Sequence, residues 1–265
     1  TLAVNQGKGL TDDAARASAV MEAVEFAIAE SPRVQVVEAT ARSLQAGGAA
    51  TFLPRALLPL GAAFDEDARI SWVEGRSILG SKVIWVPLAA VQLTGAASEL
   101  AGICQTTNGL AAGNTMAEAV FHGVCELIER DANTLWCLGS EADQSASRID
   151  PADFGDPEID MVIERILRAG LAVRMFEQTC DTGVPVFMAV IALFGASERQ
   201  FEVSGGYGAS PGAVQAALRA LTEAAQSRIT AIAAARDDIA PAAFQRPIAA
   251  QARNLFRTAA VSRRL

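Results

Sequence analysis

Apolar and polar positions recur along this chain in two periods, and these separate helices from strands. The helical period runs from about Asp12 to Glu30, from about Met116 to Trp136, and from Ser210-Pro211 through Arg219 and Glu223 towards Ala235. Thr11 is placed to cap the first helix, with Asp12 and Asp13 at the positive end of its dipole. Thr115 and Glu118 have capping-box spacing, and Ser210-Pro211 reads as an N-cap followed by proline at the first helical position. A fourth, amphipathic helix fits Pro157 to Ala169, ending at Gly170. Strand-like runs lie at Val34–Val37, Ile70–Val73, Val83–Val86, Ala172–Phe176, Val186–Leu193 and Gln200–Ser204, the last with the alternation of a half-buried antiparallel strand. Short strands among a few long helices predict an α+β fold with mixed, largely antiparallel sheets rather than regular βαβ units. No Pro/Gly/Ser-rich linker divides the chain, so residues 1–265 read as one domain. Gly95–Ala101 reads as a surface loop.

The long helices echo one another. Ser18, Glu22 and Glu25 share a spacing with His122, Glu126 and Glu129, and with Arg219, Glu223 and Gln226. Positions i, i+4 and i+7 lie on one helix face, so each set forms a polar stripe, and Glu118 extends the second. The flanking residues are apolar: Val20, Met21 and Val24 in one helix, Val124, Cys125, Leu127 and Ile128 in another. Such a helix is not exposed to water all round. Like charges at this spacing repel, and burial raises the cost, so a cation is required. No lysine is expected near these stripes. Arg130, Arg219 and Arg228 are at hand, but a divalent ion neutralises clustered carboxylates better. Oxygen ligands without His or Cys favour Mg²⁺, Ca²⁺ or Mn²⁺ over zinc, and Mg²⁺ most often arrives with phosphates.

Bland readings compete with this one. A single Glu-x-x-Glu on a helix is most often a solvated face, Glu118 suits a capping acid, and His122 suits a satisfied core histidine. A di-iron bundle needs two Glu-x-x-His pairs, and the chain has one histidine.

Composition narrows the field. The 265 residues are 51% hydrophobic, enough for a substantial core, which excludes global disorder. The longest apolar stretch, Val184 to Ala196, falls short of the roughly 20 residues of a membrane helix. A net charge of −8 argues against a nucleic-acid surface or an anionic membrane as partner. The four cysteines, 104, 125, 137 and 180, have no Cys-x-x-Cys spacing, which argues against zinc ribbons, thioredoxin motifs and disulfide scaffolds and suits a reducing cytoplasm. There is no signal-peptide pattern and no initiator methionine, so the chain is expected to begin inside a longer protein.

Glycine-rich segments precede all three acidic helices: Asn5-Gln-Gly-Lys8-Gly9, Asn108-Gly-Leu-Ala-Ala-Gly-Asn114-Thr115 and Ser204-Gly-Gly-Tyr-Gly208. Read as loops, they offer backbone N–H groups to anions. None is a Walker A loop, and none matches the dinucleotide fingerprint.

These residues together resemble the YcaO family. The resemblance is carried by Asn108 to Glu118 continuing through His122, Glu126, Glu129, Arg130 and Asp131, by Gln6 to Thr11 with Ser18 to Glu25, and by Ala220 to Arg228 followed by Ala235-Arg-Asp-Asp238. It covers most of the chain in the family's order. It implies an ATP- and Mg²⁺-dependent enzyme, unrelated to P-loop proteins, that phosphorylates the oxygen of a peptide backbone amide before a nucleophile replaces it. By motif, Glu22, Glu25, Glu126, Glu129 and Glu223 are the implied Mg²⁺ carboxylates. Asn114, Glu118, Arg130, Arg219 and Gln226 are the implied nucleotide contacts, with Ser18 nearby and Lys8 as a further candidate.

The chain also departs from the family's pattern. Phe26 stands where the first motif usually has Arg, His122 stands where a smaller polar residue is common, and the chain ends without the proline-rich C-terminus of azoline-forming members. It is expected to be incomplete at both ends. The Thr107-to-Asn114 pattern and the Ala235–Asp238 segment look like members that pair with TfuA proteins and make thioamides. Azoline formation with a leader-binding partner protein is the alternative, and a non-catalytic scaffold a third. A peptide or protein substrate and a cytoplasmic homodimer are expected.

Overall fold

The computed structural model describes residues 4–59, 61–80, 82–93, 103, 105–193, 203–234, 242, 246 and 247. The elements in chain order are α1 (Asp12–Glu30), β1 (Val36–Ala39), α2 (Ala41–Ala46), β2 (Ile70–Arg76), β3 (Val83–Pro87), α3 (Met116–Leu138), α4 (Glu141–Ala146), β4 (Arg148–Ile149), α5 (Pro157–Arg168), β5 (Leu171–Glu177), β6 (Val186–Leu193), β7 (Val203–Ala209) and α6 (Ala213–Ala233). Helices with antiparallel sheets make this an α+β fold. Contacts group the chain into two compact units, residues 23–107 and residues 2–22 with 108–265. The boundary falls inside α1. Among the described residues no helix is long and apolar enough to cross a membrane.

The first unit holds an antiparallel sheet ordered β1-β2-β3, with Val73 opposite both Val36 and Val86. Ala41, Ile70 and Trp72 are buried at its centre, and the Trp72 indole donates to the Ala39 carbonyl at 3.0 Å. The short helix α2 is held by a capping box, in which Thr40 and Ser43 each bond the other's backbone N–H.

The second unit holds the antiparallel sheet β4-β5-β6-β7. Side chains alternate across a strand. Met175, Phe187, Ala189 and Ile191 therefore face Ala216, Ala217, Ala220, Leu221 and Ala224 of α6, with Ile159 and Ile166 of α5 in the same core. Glycine allows the closest packing. A Cβ at Gly206 would stand 2.1 Å from the Ala224 nitrogen, and one at Gly208 would stand 2.1 Å from the Ala216 carbonyl oxygen. No other residue fits these positions while α6 stays in place. The opposite face of the sheet buries Phe176 and Met188, with Trp136 and Tyr207 packed against them.

Several sequence expectations are corrected here. Ser204-Gly-Gly-Tyr-Gly208 is a strand, not a loop, because its glycines serve contact with a helix rather than turning. Pro211 lies before the helix: Gly212 is the N-cap of α6, and the Ser210 hydroxyl accepts the Gly212 N–H. The first strand begins at Val36 rather than Val34. The short elements α2, α4 and β4 are too brief to show a period. Gly95–Ala101, residues 200–202 and Ala235–Asp238 lie outside the described residues.

Candidate functional site

The site forms in the second unit, where α3, α6 and the segment before α1 meet along the outer edge of β7. The edge position matters. Among the described residues no strand neighbours the outer side of β7, so its N–H groups there need other acceptors. Glu223 of α6 supplies one, accepting the Tyr207 N–H at 3.3 Å. The other oxygen of Glu223 is ion-paired with the Lys8 ammonium.

This pairing corrects the expectation that no lysine lies near the acidic stripes. Lys8 reaches Glu223 from 215 residues away, and only the fold could reveal it. The segment carrying Lys8 is fixed by several bonds. The Lys8 N–H meets the Ser18 hydroxyl at 3.3 Å, and the Gln6 N–H donates to Glu22 at 2.8 Å. The Gln6 carbonyl accepts from the Gln226 amide at 2.5 Å, and Thr230 bonds the Gln6 side chain. Gly7 crosses α1 so closely that a Cβ there would lie 1.9 Å from the Ala15 carbonyl oxygen. Ser18, Glu22 and Gln226 therefore already position the segment that presents Lys8.

On α3, Glu126 and Glu129 have different surroundings. Glu126 accepts the Gly109 N–H at 3.3 Å and sits 3.4 Å from Arg130. Burial raises its pKa, and Arg130 and the Gly109 bond partly offset that. Glu129 is only 6% exposed, and no hydrogen-bond donor among the described residues reaches its carboxylate. Burial, reinforced by the Glu223 charge, pushes its pKa up to about 7, while Lys8, Arg219 and Arg130 pull the other way. The Arg219 Nε is buried without a hydrogen-bond partner among the described residues. A buried carboxylate without a donor and a buried guanidinium nitrogen without an acceptor are both costly. Oxygen-only donors beside the unpartnered Arg219 nitrogen suit a hard divalent cation carrying an anionic ligand.

The remaining predicted residues fall into two groups. Asn114 and Glu118 form a local pair at the start of α3. Glu118 accepts the Asn114 N–H at 2.8 Å and its side-chain amide at 3.1 Å, while the Thr115 hydroxyl caps the Glu118 N–H. Glu118 thus bonds the residue before the cap, not the cap itself as the capping box requires. Glu25 lies one turn beyond Glu22, on the part of α1 that belongs to the first unit. Among the described residues no three His, Cys, Asp or Glu side chains converge as closely as bound-metal ligands do. Glu22, Glu126 and Glu223 are each engaged by protein donors. His122 is satisfied locally, its Nδ1 lying 3.1 Å from the Ala112 carbonyl oxygen. Sequence reading did not foresee that the Tyr207 N–H holds Glu223, because the place of β7 at the edge of the described sheet depends on the strand order.

Comparison with known proteins adds to this geometry. The family model described as YcaO cyclodehydratase, ATP- and Mg²⁺-binding, matches residues 6–264. A protein encoded in the tfuA 3′ region of Rhizobium leguminosarum bv. trifolii is 44% identical over 93% of this chain, and the match spans 60% of that relative. A protein of Methanothermobacter thermautotrophicus is 33% identical over 92% of the chain and 62% of its own length. The chain thus spans about three-fifths of the length of these relatives. Among solved structures, the YcaO protein of Methanopyrus kandleri bound with AMPPCP and Mg²⁺ matches with a TM-score of 0.67 and 28% identity, over 87% of this chain and 56% of that one. A heterocyclase in complex with substrate and cofactor shares the fold, with a TM-score of 0.70 and 24% identity over 84% of this chain and 32% of that one.

Proposed function

We propose a function from the premise that this chain belongs to the YcaO family, whose model spans nearly all of it. The protein is an ATP- and Mg²⁺-dependent enzyme acting on a peptide backbone amide. Sulfide is the favoured nucleophile, and the balanced reaction is amide, ATP and hydrosulfide to thioamide, ADP and phosphate, with the amide oxygen leaving in the phosphate. The sulfide preference is supported by the 44% identical relative from a tfuA region. A TfuA-like partner protein and a homodimeric assembly belong to the same reading.

ATP supplies the phosphoryl group, and Mg²⁺ supplies positive charge against its oxygens. Glu126, Glu129 and Glu223 would hold Mg²⁺, with Glu22 and Glu25 of α1 as further ligands. Asn114, Glu118, Arg130, Arg219 and Gln226 would hold the nucleotide, with Ser18 and Lys8 beside it. Lys8 neutralises Glu223 and lowers the proton affinity of Glu129, keeping a carboxylate available near neutral pH. Arg219 brings a half-buried cation to the same place. Positioning and charge neutralisation are most of what phosphoryl transfer asks of a protein.

The observation that carries the reading is Glu129, a buried carboxylate without a donor among the described residues and close to a second carboxylate. The test is phosphate release from ATP by the full-length protein, with calorimetric titration of ATP in the presence and absence of Mg²⁺. Binding that requires Mg²⁺, and turnover lost in Glu126→Ala and Glu129→Ala variants that still fold, is the expected result. Retained turnover in either variant removes that residue from the ligand set. A folded wild-type protein that neither binds nor turns over ATP is a scaffold. With a peptide substrate in hand, product mass separates exchange of oxygen for sulfur from the loss of water that marks an azoline.

A further inference from the structure

His122 remains from the polar stripe of α3 once Glu118, Glu126 and Glu129 have been assigned. It is the single histidine in the sequence. Its one hydrogen bond with a described residue joins Nδ1 to the Ala112 carbonyl oxygen at 3.1 Å. A carbonyl oxygen only accepts, so Nδ1 carries the proton. This bond is one of three. Going up α3, Glu118 accepts from Asn114, His122 donates to Ala112 and Glu126 accepts from Gly109. The segment before α3 therefore folds back antiparallel along its own helix, anchored once per turn. Positions 118, 122 and 126 are successive i+4 steps and share one side of the helix.

The three anchors span roughly 12 Å of the helix axis. The chain from Gly109 to Asn114 can reach about 17 Å when fully extended, so it forms a strap with some slack. Glycines let the strap lie against the helix. A Cβ at Gly113 would stand 2.6 Å from the Ala119 nitrogen, and one at Gly123 would stand 2.7 Å from the Gly109 carbonyl oxygen. The strap also holds donors in reserve. Leu110, Ala111 and Gly113 are half-buried, and their N–H groups make no hydrogen bond with any described residue. Half-buried backbone donors without acceptors suit an anionic ligand.

We propose that His122 is a positioning residue for nucleotide binding. By pinning the strap at mid-span, it keeps Asn114 on Glu118 at one end and the Gly109 N–H on Glu126 at the other, with the unpaired N–H groups held between them. The inference rests on the ATP-binding reading above, which assigns Asn114 and Glu118 to the nucleotide and Glu126 to the metal. Without the His122 bond, a strap longer than its span bows away from α3 between its two end anchors.

The test joins amide hydrogen exchange across residues 109–114, without ligand, to calorimetric titration with AMPPCP and Mg²⁺. Both are run on the full-length protein, His122→Phe and His122→Asn, after thermal melts confirm that each folds. Phenylalanine keeps a ring without the donor, and asparagine returns an N–H close to the place of Nδ1. Should His122→Phe not fold, His122→Ala takes its place. In His122→Phe the Gly109 and Asn114 amides should exchange about fivefold faster and AMPPCP should bind about fivefold more weakly, the size of one lost hydrogen bond. His122→Asn should bring both back to within about twofold of wild type. Unchanged exchange in His122→Phe means that the strap holds without His122, and overturns the inference. Faster exchange with unchanged affinity, or a loss of affinity that His122→Asn does not restore, overturns the positioning role and leaves the ATP reading standing. A folded wild-type protein that binds no AMPPCP overturns the ATP reading, and this inference with it.

Discussion

Helices α1 and α6 carry the same stripe: a polar residue, a glutamate four positions on, and Glu or Gln three beyond. The protein surrounds them differently. Seven residues of α6 are buried, against one in α1, Ala29. Glycine-bearing chain crosses both helices at contact distance. Against α6 that chain is the paired strand β7, and against α1 it is the irregular segment around Gly7 and Gly9. Sequence spacing thus selects the face on which a carboxylate sits, whereas the partner of the opposite face decides how rigidly it is held. On α6 that partner is a sheet core. On α1, Val20, Val24 and Ile28 remain exposed.

The largest effect is expected where the two crossings differ most. Gly206→Ala places a methyl group against the α6 backbone, with the ladder to β6 opposing retreat. We expect a loss above about 4 kcal/mol, or failure to fold, in chemical denaturation. Gly7→Ala meets an equally short distance, but in an irregular segment held by a few hydrogen bonds rather than by a strand ladder, and should cost clearly less. Equal costs would mean that the segment carrying Lys8 is as rigid as the sheet.

Next comes the pH dependence from Glu129. Below about pH 4.5 the carboxyl is protonated in both folded and unfolded chains. From there to about pH 7 only the folded chain retains the proton, so stability falls as pH rises through this window. The total is about 3 kcal/mol. Glu129→Gln should remove that slope and melt at higher temperature than wild type at pH 8 without ligands. A stability difference between wild type and Glu129→Gln that is flat, or that rises, over this window contradicts the buried environment of Glu129.

Lys8→Met should cost about 1–2 kcal/mol at neutral pH, because the Lys8–Glu223 pair is partly solvated. It should also raise the Glu129 pKa further, which carboxyl NMR would detect. The smallest effect is set for Thr115→Ala, about 1 kcal/mol from a lost helix cap. A larger loss would show that the start of α3 supports more than its own first turn.

The long helices and most strands were legible because hydrophobic period reports local structure. The expected first helix, Asp12–Glu30, coincides with α1, and Val186–Leu193 coincides with β6. The Thr11 cap is also present, accepting the Ala14 N–H. Glycine misled where its use was tertiary: Gly206 and Gly208 look like loop residues until α6 is seen beside them. The carboxylate stripes were readable, but the contrast between Glu126, held by Gly109 and Arg130, and Glu129, held by no donor among the described residues, was not. That contrast depends on which side of α3 faces β7. Lys8 was undervalued because proximity in sequence stood in for proximity in space.

The bonds from Gln6 to Gln226 and Thr230, and from Lys8 to Glu223, join positions more than 200 residues apart. Closing so long a loop is among the slowest entropic steps open to a chain. At about 5–20 residues per second, the ribosome needs roughly ten to forty seconds after residue 8 before residue 223 is made. Throughout that interval the Lys8 segment has no α6 to dock against, and Glu223 does not yet exist. The acidic centre therefore cannot assemble on the nascent chain until α6 emerges, which keeps a copy cut short before α6 from completing the site.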